Sequence, residues 1–306
     1  RRKVPETDRD NITPNERNTG LKITVTKDAG YCFGVRDAVN MAYNTAEKYG
    51  DVHMLGSIVH NEKVVGDLKD AGAKTVCSLD EVPQGSPILF RAHGTVDKLW
   101  NKAKSKKMNI IDATCPLVYE IHQEVKKISE DGRQVIVIGD HGHDEVVAIA
   151  NQVENSIIIS SPEEAVKLRK MKKAGVVCQS TQAIENVQEI VNILMTKVYD
   201  LHFVNTICYP TKRNHEQIKE IALLNDVMII IGSFTSANSK RLTQLSQDRN
   251  PNSYQVTGEQ DLNPIWFKNM DTIGISAGAS TPDYLIDEVK EEINKIYKEK
   301  LWKKAH

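Results

Sequence analysis

From Leu21 onward the chain alternates between short apolar runs and stretches with helical periodicity. Apolar runs occupy residues 52–55, 87–90, 135–138, 175–177, 227–231 and 272–275, and β-rich runs occupy 23–27, 109–112 and 201–205. Residues 35–48 and 117–129 instead place apolar side chains at helical spacing. Short strands alternating with helices are the pattern of βαβ units, and strands covered on both faces read as continuous apolar runs. The expected fold class is therefore α/β with parallel sheets.

The pattern occurs three times. Each copy has a β-rich run, then a cysteine, then a helical stretch: Gly30-Tyr31-Cys32-Phe33-Gly34-Val35, Ala113-Thr114-Cys115-Pro116-Leu117-Val118 and Thr206-Ile207-Cys208-Tyr209-Pro210-Thr211. The next apolar run ends at Gly56-Ser57, Gly139-Asp140 or Gly232-Ser233, and the cysteine-to-glycine separation is the same in all three. A looser third element is a strand followed by small polar residues, at Arg91-Ala92-His93-Gly94, Cys178-Gln179-Ser180-Thr181 and Ser276-Ala277-Gly278-Ala279-Ser280-Thr281. Self-similarity at a fixed period outranks any single motif. It predicts three small α/β units over residues 21–115, 116–208 and 209–306, preceded by a mobile polar tail at 1–20. In parallel sheets ligands bind at the carboxyl ends of the strands, which is where each polar signature falls. Packing about a pseudo-threefold axis would bring three polar edges to one central pocket.

Composition narrows the function. The chain has 306 residues, with 40 Lys and Arg against 41 Asp and Glu for a formal net charge of −1. That balance argues against a globally basic nucleic-acid binder. The longest unbroken aliphatic stretch, 227–231, is far short of the roughly 18 residues of a membrane span. Five cysteines over this length are an odd number and too few for a disulfide scaffold, which fits a reducing compartment.

A lone cysteine is most often a small buried hydrophobe, and Cys77 and Cys178 are left in that class. Cys32, Cys115 and Cys208 differ because the repeat sets the same residue at the same point three times. Three converging thiolates repel unless a cation neutralises them, and soft ligands favour zinc, copper(I) or an iron–sulfur cluster. Three ligands rather than four imply an open, catalytic position. The polar loops hold Ser57, His60, Asn61, His93, Ser233, Ser236, Asn238, Ser280 and Thr281. Helix capping explains Ser57, Ser233 and Thr281 as well as function does, and helix starts also attract phosphate. His60 and His93 with the dense hydroxyl and amide groups of 232–239 could hold a diphosphate without Lys or Arg. His143 beside Glu145 suits proton transfer, because a buried Glu can keep its proton near neutral pH.

Taken together, the cysteine motifs, Ile58-Val59-His60-Asn61, Arg91-Ala92-His93-Gly94, His143-Asp144-Glu145-Val146, residues 233–242 and Ser276 to Asp283 resemble the hydroxymethylbutenyl diphosphate reductase family. That family acts last in the non-mevalonate isoprenoid pathway. The likeness is collinear from Leu21 to about Ile296. It implies a trefoil of three α/β domains around a 4Fe-4S cluster held by Cys32, Cys115 and Cys208, with one iron open to the substrate's allylic hydroxyl. It further implies that His60, His93, Ser236, Asn238 and Ser280 bind the diphosphate, with His143 near the substrate. Glu145 would donate a proton, and Ser180 would occupy a relay position that the family usually fills with Thr. The implied reaction is a two-electron reductive dehydroxylation yielding isopentenyl and dimethylallyl diphosphate, fed by a ferredoxin-type donor, with no nucleic-acid or membrane partner. Two positions depart from the family pattern: Asp144 replaces a common Pro, and Ala237 a common hydroxyl residue or Gly. The polar head suggests a plastid-type organelle, an apicoplast or chloroplast stroma, with the bacterial cytoplasm as the alternative. A zinc-dependent hydrolase and a non-enzymatic phosphometabolite-binding protein remain the rival readings of the same residues.

Overall fold

The structure, a computed structural model, describes residues 20–305, with side chains to residue 299. The tail expected at 1–20 thus lies, apart from Gly20, outside the described residues. In chain order the first elements are β1 (Lys22–Val25), α1 (Phe33–Tyr49), β2 (Val52–Leu55), α2 (Glu62–Asp70), β3 (Ala73–Val76), β4 (Pro87–Phe90), α3 (Asp97–Ser105) and β5 (Asn109–Asp112). The middle holds α4 (Pro116–Glu130), β6 (Gln134–Ile138), α5 (Asp144–Ala150), β7 (Ile157–Ile159), α6 (Pro162–Lys167), β8 (Met171–Cys178), α7 (Ile184–Lys197) and β9 (Val198–Phe203). The last third holds α8 (Tyr209–Ile221), β10 (Val227–Ile231), α9 (Ala237–Gln247), β11 (Ser253–Val256), β12 (Thr272–Ala277) and α10 (Asp283–Ala305).

Three four-stranded sheets have the orders β3-β2-β4-β5, β7-β6-β8-β9 and β11-β10-β12-β1, and every pairing is parallel. The orders are equivalent, so the internal repeat is a threefold structural repeat. One expectation changes. Residues 22–25 were expected in the first unit, yet β1 pairs with β12, with Lys22 beside Thr272 and Val25 beside Ile275. The cause is circular closure. Each cysteine-preceding strand forms the edge of the unit before it, as β5 and β9 do, and the third unit has only the start of the chain to supply that edge.

Burial follows position in the sheet. The inner strand β10 (VMIII) is buried throughout, whereas the edge strands β1 and β5 expose their first residue. Alternation sends Met54 and Leu89 to one face of the first sheet, among α1 and α2, and Leu55, Ile88 and Phe90 to the other. The other two sheets likewise carry an apolar cluster on each face. Each fully buried aliphatic side chain contributes about 1.5–3 kcal/mol, so the sheet cores are the rigid part and the loops at their carboxyl ends are free to specialise. Among the described residues no helix is long and apolar enough to cross a membrane.

Candidate active site

Cys32, Cys115 and Cys208 are the N-cap residues of α1, α4 and α8. Ser, Thr, Asp and Asn are the preferred residues there, so cysteine three times is not explained by capping. First-turn N–H groups of Gly34 and Val35, of Leu117 and Val118, and of Thr211 favour the respective thiolates without closing a full cap hydrogen bond on any side chain. The Cys208 thiol donates to Thr211 Oγ1 at 3.1 Å. Each cysteine backbone N–H reaches the loop that follows the third strand of the sheet it leaves. Cys32 donates to the Ala279 carbonyl (3.4 Å), Cys115 to that of Ala92 (3.0 Å) and Cys208 to that of Ser180 (2.9 Å). Ser280, His93 and Ser180 are thereby fixed next to the three cysteines.

The cysteines are electrostatic neighbours as well. Burial is the main cause that raises all three thiols, Cys208 to about 11, and the charge of Cys32 raises Cys115 and Cys208 further. Glu145 acts on the same two. Left to themselves these thiols stay protonated at neutral pH, and a soft cation reverses that balance. Cys178, fully buried, has its thiol pushed up to about 12 and is inert, as expected. Cys77 is exposed, which corrects its assignment as core filler; it lies at the end of a strand before a polar turn. The start of α1 also touches Cys115, since a Cβ on Gly34 would collide with the Cys115 sulfur. Gly34→Ala is therefore expected to displace that sulfur and, with the cluster that the family likeness implies, to lower the iron content after anaerobic reconstitution, while the secondary structure by circular dichroism stays unchanged. Full iron occupancy in the alanine protein would show that the contact is dispensable.

Three histidines form the next layer. The His60 ring lies 4.4 Å from His93 and 5.1 Å from His143, and His93 lies 5.6 Å from His143, between centroids. Burial is the main cause that depresses all three: His143 falls to about 4, and His93 lies well below its usual value, with its two neighbours adding to the effect. The cluster is neutral at pH 7. His143 caps α5, its Nδ1 accepting the Glu145 N–H at 3.3 Å, which leaves the ring proton on Nε2. His60 Nε2 and His93 Nδ1 are buried without a partner, a cost that a bound oxyanion removes.

Glu145 is 2% exposed. Its Oε1 accepts the Ser180 N–H at 2.6 Å and its Oε2 the Ser180 hydroxyl at 2.9 Å. Burial raises this carboxyl and outweighs the Ser180 hydrogen bonds, which lower it. Burial thus works toward the protonated acid.

The third unit supplies the remaining polar groups. Ser236 caps α9, accepting the Ser239 N–H at 3.3 Å, so its own hydroxyl proton is free. Asn238 Oδ1 is buried without a partner, and Ser280 donates to the His60 carbonyl at 3.1 Å across two units. The caps are Asn61, His143 and Ser236 rather than Ser233 and Thr281. Ser233 bonds Glu62 (2.8 Å), and Thr281 donates to the Ile231 carbonyl (3.0 Å).

Ion pairs between units were not foreseen. Asp144, at the family's Pro position, pairs with Arg91 at 2.5 Å, and Arg241 pairs with Asp140 at 2.5 Å while its Nε donates to Gln182 at 3.0 Å. The loop carrying His143 and Glu145 is thus held from both sides, by Arg91 of the first unit and Arg241 of the third. A cavity of about 650 Å³ opens here, lined by His60, His143, Asp144, Thr235, Lys240 and Arg241. The clue to Arg241 was its place four residues beyond Ala237, one turn into α9.

The family model described as LytB protein matches residues 23–294. The chain belongs to the LytB family. Among its LytB relatives, the 4-hydroxy-3-methylbut-2-enyl diphosphate reductase of Geotalea uraniireducens is 40% identical over 281 residues, 92% of this chain and 99% of the relative. The enzyme of the same name from Geobacter metallireducens is 39% identical over 277 residues, covering 90% and 98%. A solved structure of the E-1-hydroxy-2-methyl-but-2-enyl-4-diphosphate reductase from Plasmodium falciparum superposes with a TM-score of 0.84 at 29% identity, covering 89% of this chain and 86% of the other. A second, described as (E)-4-hydroxy-3-methyl-but-2-enyl diphosphate reductase, gives 0.66 at 34% identity, covering 90% and 99%. The two curated relatives are bacterial and lend no support to the plastid-type compartment expected from the polar head, whose residues lie outside the described ones.

Proposed function

We propose that this LytB-family chain reduces (E)-4-hydroxy-3-methylbut-2-enyl diphosphate to isopentenyl and dimethylallyl diphosphate, in a bacterial cytoplasm, with a ferredoxin-type protein as electron source. The observation that carries the proposal is the threefold junction. Every repeated cysteine is hydrogen-bonded through its backbone to the loop bearing His93, Ser180 or Ser280, and Cys32 acts on both other thiols, which supports soft ligands, oxyanion donors and an acid at one centre. Cys32, Cys115 and Cys208 would hold a 4Fe-4S cluster. Three partly buried thiols at helix starts, all raised by burial and two of them further by Cys32, suit such a group. When bound, the cluster supplies electrons and an open iron for the substrate hydroxyl.

The chain's own residues do the rest. His60, His93, Ser236, Asn238 and Ser280 hold the diphosphate through neutral donors; the unpartnered atoms of His60, His93 and Asn238 mark where it is needed. His143 keeps its Nε2 proton toward the bound substrate while fixing the start of α5. Glu145, aligned by both hydrogen bonds from Ser180, gives its proton to the departing hydroxyl, which leaves as water. The C–O bond breaks, two electrons and a second proton form the new C–H bond, and either end of the allyl unit can take that proton. The zinc-hydrolase rival requires several ligands within one ion's shell, and no such group of His, Cys, Asp or Glu exists among the described residues.

Anaerobic purification followed by iron and sulfide analysis and a reduction assay on the allylic diphosphate tests the reading. Brown protein with about four irons per chain and two products is expected. Colourless protein with one zinc that hydrolyses the diphosphate, or metal-free protein that only binds it, overturns the proposal.

A further inference from the structure

The proposed reaction consumes two electrons from outside, which must enter near the three cysteines. A second cavity, about 540 Å³, lies on the seam between the first two units, away from the histidines. Thr95, Trp100 and Lys104 line it from the α3 side, and Thr114, Tyr119 and Lys126 from the α4 side. Its inner wall adjoins the proposed centre. Thr114 immediately precedes Cys115, and the Tyr119 N–H bonds the Cys115 carbonyl at 3.1 Å. The His122 ring packs over Gly94, where an added Cβ would stand 2.9 Å from its Cε1, so the wall also abuts the loop of His93.

Positive charge gathers along this seam. Lys98, Lys104, Lys107 and Lys126 are exposed and, among the described residues, in no ion pair, and Lys102 and Lys106 share the one carboxylate of Asp80. Lys104 lies 5.5 Å over the Trp100 ring. The lining positions 119, 122, 123 and 126 form one helical stripe, and Glu124, off that stripe, turns to Lys127. Asp97 is the one carboxylate in the lining. Beside the other two cysteines Arg36 and Arg213 are paired with Asp283 and Asp28, and Lys219 with Glu185, so that Lys212 is the unpaired cation next to Cys208 among the described residues. Unpaired cations, one of them over the Trp100 ring, in a chain of net charge −1, make a local basic patch that attracts an acidic surface.

We infer that the α3–α4 seam is the docking surface for a small acidic protein that carries one electron at a time. This rests on the proposed function and adds the donor's place. Two encounters oxidise two donor molecules by one electron each. The substrate gains both electrons and two protons, its C–O bond breaks, a C–H bond forms and water leaves. Redox complexes of this kind are small and transient, and charge governs their association rate.

The test compares the iron-loaded wild-type protein with the Lys104→Glu, Lys126→Glu double variant and the milder Lys126→Gln. Reduced bacterial ferredoxin and reduced methyl viologen serve as alternative donors, and ferredoxin binding is measured by interferometry. The double variant should keep its viologen-driven turnover. With ferredoxin, kcat/KM and affinity should fall about 10-fold or more, and their dependence on salt should flatten; Lys126→Gln should fall between. Wild-type ferredoxin affinity in the double variant overturns the inference. So does an equal loss with both donors, which would make the seam part of the site's scaffold. Pyrophosphate quenching Trp100 while ferredoxin binding is unchanged would also overturn it, in favour of a small anion. Wild-type protein that binds ferredoxin here but reduces no diphosphate would sink the functional reading and leave the docking surface standing.

Discussion

The Cys208→Ser protein is expected to fold and to lose its iron. Serine is a preferred N-cap residue and cysteine is not, so the exchange is neutral or favourable for the start of α8. The backbone bond from residue 208 to the Ser180 carbonyl does not depend on the side chain. What disappears is a soft, polarisable ligand, and a serine hydroxyl is a poor substitute on iron. Anaerobic iron and sulfide analysis should therefore show a depleted or degraded cluster, and turnover should fall below detection, while the melting temperature of the metal-free protein stays close to that of wild type. An intact, stable cluster in the serine protein contradicts the assignment of Cys208. The same argument applies to Cys32 and Cys115, which occupy the same position on α1 and α4.

Glu145→Gln is expected to keep the cluster and the substrate and to lose about 100-fold or more in turnover if proton transfer limits the rate, close to 2.7 kcal/mol of barrier. Glutamine has the same shape, and its amide oxygen can still accept the Ser180 N–H, but it has no proton to give. The pH profile separates this from a structural defect. Burial raises the Glu145 carboxyl, so the competent acid is present on the acid side and is lost as pH rises through that raised value. Wild-type turnover should therefore fall on the alkaline limb, and the Gln protein should lack that limb. Wild-type turnover in the variant, or the same limb in both proteins, removes Glu145 from the proton-transfer step.

Much of the architecture was legible in the chain because it depends on local spacing. The runs at 52–55, 135–138 and 227–231 are inner strands, and the repeated cysteines begin helices. The residues of the edge strand β1 hold no clue to a partner 250 positions away, so the chain alone assigns it to the wrong unit. The candidate site residues were nominated by type and by likeness to a family; their mutual contacts could not be. The signal at Asp144 was a departure from the family pattern, but only the approach of Arg91 gives it a partner. Arg241 was passed over because a charged residue one turn into a polar helix looks like any solvated side chain. The seam cavity joins α3 and α4 and could not be read from either helix alone.

The sequence by itself determined the α/β class, the threefold repeat and the three cysteines at equivalent points. These follow from periodicity and residue type, which are properties of short segments. Only the tertiary structure decided that β1 closes the third sheet, that each cysteine sits against the third-strand loop of the unit before it, and that Glu145 is buried against Ser180. Those outcomes depend on which distant surfaces meet and exclude water, and burial of that kind, unlike hydropathy, is not a property of any one stretch of chain.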